Sequence, residues 1–333
     1  QNGPQYVIES LQKSDEGPYK VQISNEVGSV TSSMAYVELL VPPQLLREPE
    51  DQPVTQGALV TLTVMSDGSG GGYRWMRNGQ VVSGATAHQL RIDSVQPENA
   101  GLYVAEVSSY GGTTSTFPAV VGVRPTGRTA GAVETRPEWQ GIVHPNGNIY
   151  DQFLLTGAAG TITAEAGKIA RISFLDEDSD IVQVELSGAG AVTVCLANAT
   201  GPQAPLLYNQ PDIVYYQGKP TVILVGADAT THMSIYSVGR LNNPGVTLPD
   251  VPYDGWSDVG ALGIVCPSGT MGGLYLGNVA FGTSAGPTGI VARTVKNIGT
   301  VRLHDITASG TALPFLRFAS EGQIQATLTG GSL

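Results

Sequence analysis

Apolar and polar positions alternate in short runs along almost the whole chain. Val60-Thr61-Leu62-Thr63-Val64 and Ile181-Val182-Gln183-Val184-Glu185 each read apolar, polar, apolar. A period of two sends alternate side chains to opposite faces of an extended backbone, so these runs predict strands with one buried face. No stretch keeps a 3.6-residue apolar period for three turns, so no amphipathic helix is expected. Two repeats organise the strands. Ile8, Leu11, Asp15, Gly17 and Tyr19 recur 84 positions later as Ile92, Val95, Asn99, Gly101 and Tyr103. Near the other end, Leu274–Val279, Val301–Ile306 and Leu328–Leu333 share a register of 27. Apolar residues recur at 274/301/328 and 279/306/333, with small polar residues at 278/305/332. A period in the twenties, punctuated by Gly, Ser, Asn and Asp, predicts stacked coils that bury their apolar stripe against one another.

The first pattern, I-x-x-[LV]-x-x-x-[DN]-x-G-x-Y, resembles the E-to-F corner of an immunoglobulin-like domain. Residues 44–124 carry further marks of that family. Trp75 stands where the strand-C tryptophan is expected, and Asn78-Gly79 follows as a hairpin turn in which both residues tolerate positive φ. The resemblance implies that the Tyr103 and Tyr19 hydroxyls tie their corners to the backbone just upstream. The family's core cysteines are replaced by Val64 and Ala105, with Val21 at the matching place in the first copy. Such a bridge typically contributes ~2–5 kcal/mol, so apolar packing around Trp75 must replace it. Cysteine-free modules of this kind resemble those of bacterial surface proteins and phage structural proteins. In residues 1–43 the match begins where strand E would start. Half an immunoglobulin-like domain is expected there, as part of a longer protein.

Pro, Gly and charged residues cluster at 125–148, which reads as a linker with Trp139 docking on a neighbour. Eight short strands are expected over 149–245, between Tyr150 and Val238, as a second β-sandwich or jelly-roll-like module. The phrases Asp180–Gly190, Tyr208-Asn209-Gln210-Pro211 and Ser237-Val238-Gly239-Arg240 resemble a module of very large secreted proteins of environmental bacteria. There it sits between immunoglobulin-like repeats and a β-helix. Residues 246–333 then read as an incomplete parallel β-helix segment. The expected fold class is all-β throughout.

Composition narrows the functions. Charged residues make up 14% and the formal net charge is −11, with no basic stripe, so nucleic acid is not an expected partner. No apolar run approaches the ~20 residues of a membrane-spanning helix. Cys195 and Cys266 form neither a disulfide framework nor a metal-ligand spacing, and the choice between a bridge and two buried thiols stays open. Asp176, Asp178 and Asp180 alternate as in the opening of a Ca²⁺ loop, but Ile181 and Ser187 exclude an EF-hand. Ca²⁺ is the one candidate ion, against a solvated acidic turn, and no other cofactor is expected. Asn198-Ala199-Thr200 fits the glycosylation triplet. Arg302, His304, Asp305 and Arg317 are single residues rather than a carboxylate cluster, the histidines share no ligand spacing, and no serine occupies a nucleophile elbow.

The expected function is non-enzymatic. The chain reads as a structural or adhesive component of a bacterial extracellular fibre, sheath or array, secreted or held at the cell surface. Self-association with further copies is the expected partnership, with glycans as a second class of partner. The alternatives are a polysaccharide-binding or polysaccharide-degrading surface protein and a phage tail-fibre or tailspike fragment.

Overall fold

The computed structural model describes residues 3–67, 71–203, 215–238, 256–281, 289–303, 306–308 and 315–317. Within these the fold is all-β, and its helical turns are the short 3-10 segments Lys13–Asp15, Pro97–Asn99 and Pro137–Trp139.

The first copy of the 84-residue repeat forms β1 (Gly17–Tyr19), β2 (Gln22–Asn25), β3 (Gly28–Thr31) and β4 (Ala35–Val37). Residues 44–124 form β5 (Leu45–Arg47), β6 (Gln52–Thr55), β7 (Val60–Thr63), β8 (Met65–Ser66), β9 (Tyr73–Arg77) and β10 (Gln80–Val81). They continue through β11 (Gln89–Ile92), β12 (Gly101–Ser109), β13 (Gly112–Ser115) and β14 (Ala119–Arg124). One sheet runs β10-β9-β12-β14-β6, with β6 parallel to β14, and the opposite layer pairs β11 with β7. This is an immunoglobulin-like sandwich. Trp75 is fully buried between the layers, and its indole N–H donates to Ala87 O at 2.9 Å. Val64 and Ala105, at the places of the missing cysteines, are also fully buried.

The two copies match bond for bond. Gly17 pairs with Val37 as Gly101 pairs with Val121, and Gln22 pairs with Thr31 as Glu106 pairs with Ser115. Tyr19 donates to Asp15 O and Tyr103 to Asn99 O, each at 2.7 Å. The burial differs. Ala105 and Val107 lie in a core with Leu62 and Trp75, and Val120 is buried on the other face of β14 against β24, whereas their counterparts Val21, Ile23 and Tyr36 are exposed.

Residues 125–148, expected as a linker, are strand-paired. β15 (Thr129–Glu134) and β16 (Ile142–Val143) both pair antiparallel with β17 (Ile149–Ile162). A buried ion network fixes the segment. Asp151 of β17 accepts from Arg128 Nη2 at 2.6 Å and from the Gly141 N–H at 2.8 Å. Glycines and a register shift between Gly131 and Val133 hide the alternation that would have announced β15. Trp139 packs beside Leu154, Leu175, Ile181 and Tyr215, with the Arg136 guanidinium 4.6 Å over its ring.

The strands that follow are β18 (Ile169–Leu175), β19 (Ile181–Ser187), β20 (Ala191–Gln203), β21 (Tyr215–Val225) and β22 (His232–Ser237). In place of short strands at its start, this region opens with one long strand, β17, which pairs β18 along its first half and β20 along its second. Beyond them come β23 (Ser257–Val259), β24 (Ala261–Val265), β25 (Thr270–Gly277), β26 (Val279–Phe281), β27 (Gly289–Val291), β28 (Asn297–Leu303), β29 (Ile306–Ala308) and β30 (Phe315–Arg317). These stack in three parallel ladders: β23-β26-β29, β21-β24-β27-β30 and β22-β25-β28. Leu274 lies beside Val301 and Val279 beside Ile306, the offset of 27 expected from the sequence. The third repeat, Leu328–Leu333, lies outside the described residues. One apolar core runs from Phe153 through Val222 and Leu262 to Val301, so the ladders and the strands before them share an interior.

Candidate functional site

Two places concentrate unusual side chains: the acidic turn before β19 and the contact between the immunoglobulin-like domain and the ladders.

At the acidic turn the chain leaves β18 at Leu175 and re-enters extended structure at Ile181. Ser179 adopts φ +78 to close the bend, an uncommon conformation for a residue with a side chain. Asp176 is fully buried. Its Oδ1 accepts the Asp180 N–H at 2.8 Å and its Oδ2 accepts the Asp258 N–H at 3.1 Å. Gln217 of β21 donates to Glu177 O at 2.9 Å and to Ser179 Oγ at 3.0 Å. Carboxylate oxygens of Asp176, Asp178 and Asp258 all lie within 4.8 Å of one another. Burial, with the Asp178 carboxylate beside it, pushes the Asp176 carboxyl up to about 9. At neutral pH it therefore holds a proton, which relieves repulsion between the two acids.

The expected set of Asp176, Asp178 and Asp180 is thus rearranged. Asp180 contributes its N–H to the turn, and the third carboxylate comes from Asp258, 82 positions beyond Asp176. Four-residue spacing lets a turn close by an Asp side chain accepting a backbone N–H, which is what Asp176 and Asp180 do. Asp176, Asp178 and Asp258 are the residues here that could hold a hard cation. Three carboxylates supply only part of the six to eight oxygens that Ca²⁺ takes, and both oxygens of Asp176 already accept N–H groups. Among the remaining candidates, Arg302 is exposed on β28, while His304 and Asp305 lie outside the described residues and Arg317 falls on β30. Cys195 and Cys266 are both free and buried, in different cores.

The second place is a seat. β14 sends Val121 and Val123 into its own sandwich and turns Val120 and Gly122 toward β21 and β24. β21 is buried on both faces: Val222 and Leu224 belong to the ladder core, and Ile223 and Val225 cluster with Leu102 and Val120. A β-carbon on Gly122 would stand 1.8 Å from Val225 Cγ1. One on Gly263 would meet Ile223 Cδ1, Leu102 Cδ2 and Val120 Cγ1 at 2.9, 3.0 and 3.1 Å. The two glycines let the two sheets approach closely. Polar ties rim the contact. Arg124 Nη2 donates to Gly226 O at 3.2 Å, Arg293 Nη2 to Asp51 Oδ1 at 2.8 Å, and the Cys195 thiol to Pro97 O and Ala100 O at 3.5 Å each. Sequence reading missed this seat. The available signal was the unbroken apolar run Val222-Ile223-Leu224-Val225, which is what a strand buried on both faces requires.

The fold thus defines an all-β protein carrying an immunoglobulin-like domain. No family model matches the chain. Muscle M-line assembly protein unc-89 of Caenorhabditis elegans is 30% identical over 111 residues, 32% of this chain and 1% of that protein. The Xenopus laevis protein named cell adhesion molecule-related/down-regulated by oncogenes is 31% identical over 115 residues, 32% of this chain and 9% of that protein. The chain therefore spans a small fraction of the length of these curated relatives. Among solved structures, Sidekick-1 immunoglobulin domains 1-5 are 23% identical, matching 35% of this chain and 27% of that one with a TM-score of 0.26. Among the described residues no helix is long and apolar enough to cross a membrane.

Proposed function

We propose that the chain is a structural or adhesive component of an extracellular surface assembly, a fibre, sheath or array, acting through rigid β-domains and contacts between copies. The observation that carries this reading is the seat. An immunoglobulin-like domain packed through Gly122 and Gly263 onto a shared core is a fixed joint, whereas tethered beads would be flexible. The parallel ladders are read as coils of a parallel β-helix, supported by the offset of 27, with 149–245 as the β-sandwich module that starts them. A bacterial source is supported by the resemblance of the cysteine-free modules and of the segment around Asp180 to bacterial surface proteins. The adhesive element has support in the name of the Xenopus relative, matched over 32% of this chain. No step of this role is catalytic.

Self-association is the expected partnership, and sedimentation of the purified chain over a wide concentration range tests it, together with electron microscopy of the native cell surface. Concentration-dependent growth and ordered surface structures containing the chain are expected. A strictly monomeric chain, with no ordered structure on the native surface, sinks the proposal.

A further inference from the structure

The outer face of the sheet formed by β18, β19, β22, β25 and β28 is polar, is closed at its β18 end by the Tyr150 ring 3.9 Å from the buried Arg171 guanidinium, and carries two rings lying over glycines nearer β25. Backbone register places Arg171, Glu185, Ser234, Tyr275 and Arg302 in one row across the five strands. Glycines flank the row's aromatic residue. A β-carbon on Gly277 would stand 3.0 Å from Tyr275 Oη and 3.2 Å from its Cε1, so that ring lies along the strand over Gly277. On the neighbouring strand the His232 ring covers Gly272 and Gly273, with its Cε1 and Cδ2 each 2.7 Å from where a β-carbon would be. Its Nδ1 is held 3.1 Å from Thr230 O. Both residues are exposed, so each ring keeps its back on the sheet and turns its outer face to solvent.

The polar neighbours are ordered. Arg171 Nε and Nη2 donate to Glu185 Oε1 at 2.8 and 2.6 Å, and the Tyr236 hydroxyl donates to the same oxygen at 2.6 Å. Glu185 is therefore neutralised within the row. Arg302 is exposed and makes no ion pair among the described residues, so the row's uncompensated charge is positive. The chain as a whole carries −11, but acids farther than a Debye length of ~8 Å are screened at physiological salt. Outward ring faces want apolar C–H surface, and the Ser234 hydroxyl and the exposed Arg302 guanidinium on either side of Tyr275 want hydrogen-bonding partners. A sugar ring offers both at once, and a polymer of sugars continues them from strand to strand.

We propose that this face binds an acidic polysaccharide, its sugar rings stacked on Tyr275 and His232 and a carboxylate held by Arg302. The proposal rests on the adhesive part of the function given above and names the partner. Isothermal titration of the full chain with a uronic-acid oligosaccharide, and with a neutral glucan oligosaccharide of equal length, tests it. Binding of the acidic oligomer is expected. Tyr275→Ala should weaken it by roughly tenfold and His232→Ala by less, with unchanged unfolding midpoints. Arg302→Ala should remove the preference for the acidic oligomer, and added salt should do the same. Absence of binding overturns the proposal, as does binding indifferent to Tyr275→Ala and His232→Ala. Equal affinity for both oligomers overturns the acidic assignment. A chain that self-associates but ignores both oligomers leaves the assembly role standing without this platform, whereas a monomer that binds them does the reverse.

Discussion

Gly122→Ala is the most direct test of the seat. The added β-carbon would lie 1.8 Å from Val225 Cγ1, 3.0 Å from Val225 Cβ and 3.2 Å from Ile223 Cγ2. Both neighbours are fully buried, so neither can swing into solvent. Overpacking of this kind costs about 1–3 kcal/mol. Here the cost falls on the contact between two cores, so it shifts the balance between docked and undocked states. At 1.4 kcal/mol per decade, that raises the undocked population roughly 5- to 150-fold. Cys195 reports it. Its thiol lies beneath Pro97 and Ala100, and burial pushes it up to about 12, so the docked state presents no thiolate to a reagent. Cys266 sits in the ladder core with its thiol on Ala227 O at 3.2 Å and is blind to undocking. Native-state labelling with a thiol reagent, resolved by residue with mass spectrometry, should show Cys195 modified faster by that factor and Cys266 unchanged. Gly127→Ala, where a β-carbon meets nothing within 4 Å, is the neutral control. Gly263→Ala meets only the far ends of side chains and should give a smaller effect. Unchanged Cys195 labelling in Gly122→Ala refutes the seat, and parallel acceleration of Cys266 means that the variant unfolds globally instead.

Other consequences can be checked by denaturant unfolding. Tyr103→Phe deletes the 2.7 Å bond to Asn99 O and should lower stability by about 1 kcal/mol, with a smaller loss for Tyr19→Phe on its more exposed corner. Trp75→Ala empties the largest fully buried side chain and orphans Ala87 O, so a loss of about 3–5 kcal/mol is expected. Asp176 titrates at about 9 when folded and near 3.9 when unfolded, so its folded state keeps a proton that the unfolded chain releases earlier. Its contribution is complete below about pH 4 and is lost as pH rises toward 9. In chelator, the wild-type midpoint should decline across that window, and Asp176→Asn, which keeps an acceptor for the Asp180 N–H, should flatten the decline. Identical slopes for the two chains would rule the assignment out.

What could be read from the sequence was whatever local chemistry writes into it. The tyrosine corner needs a turn residue, a glycine of positive φ and a tyrosine within five positions, and Gly17 and Gly101 do take φ +137 and +156. The ladder register needs only like residues at a fixed interval. Asn278 marks the turn between β25 and β26 because φ +49 suits asparagine. The rest depends on partners far away in the chain. Asp258 joins Asp176 only because β23 stacks beside the acidic turn, and nothing near residue 258 announces it. The strands in 125–148 were obscured because their pairing with β17 is broken at Gly131, while the Asp151–Arg128 pair that anchors them spans 23 positions. The seat was invisible for the same reason: Gly122 looks like any strand glycine until Val225 is set against it.

The seat also separates the two immunoglobulin-like copies, which share the pairings of β1 with β4 and of β2 with β3 residue for residue. The docked face uses Ala100, Leu102, Val120 and Gly122, small or apolar throughout. The same positions 84 residues earlier hold Glu16, Pro18, Tyr36 and Glu38. Two carboxylates and a tyrosine cannot lie against Ile223 and Val225 without burying unpaired charge and forcing the sheets apart. The shared corner therefore specifies the sandwich, and the outer face of β14, which differs between the copies, specifies whether it is a joint. For the ladders the converse holds. Ile223, Val225 and Val265 face outward from β21 and β24, and without the docked domain they would form an exposed apolar patch on a strongly acidic protein. Each surface is intelligible only with the other in place, which is why residues 44–124 and the ladder strands they cover are best regarded as one folding unit rather than two tethered domains.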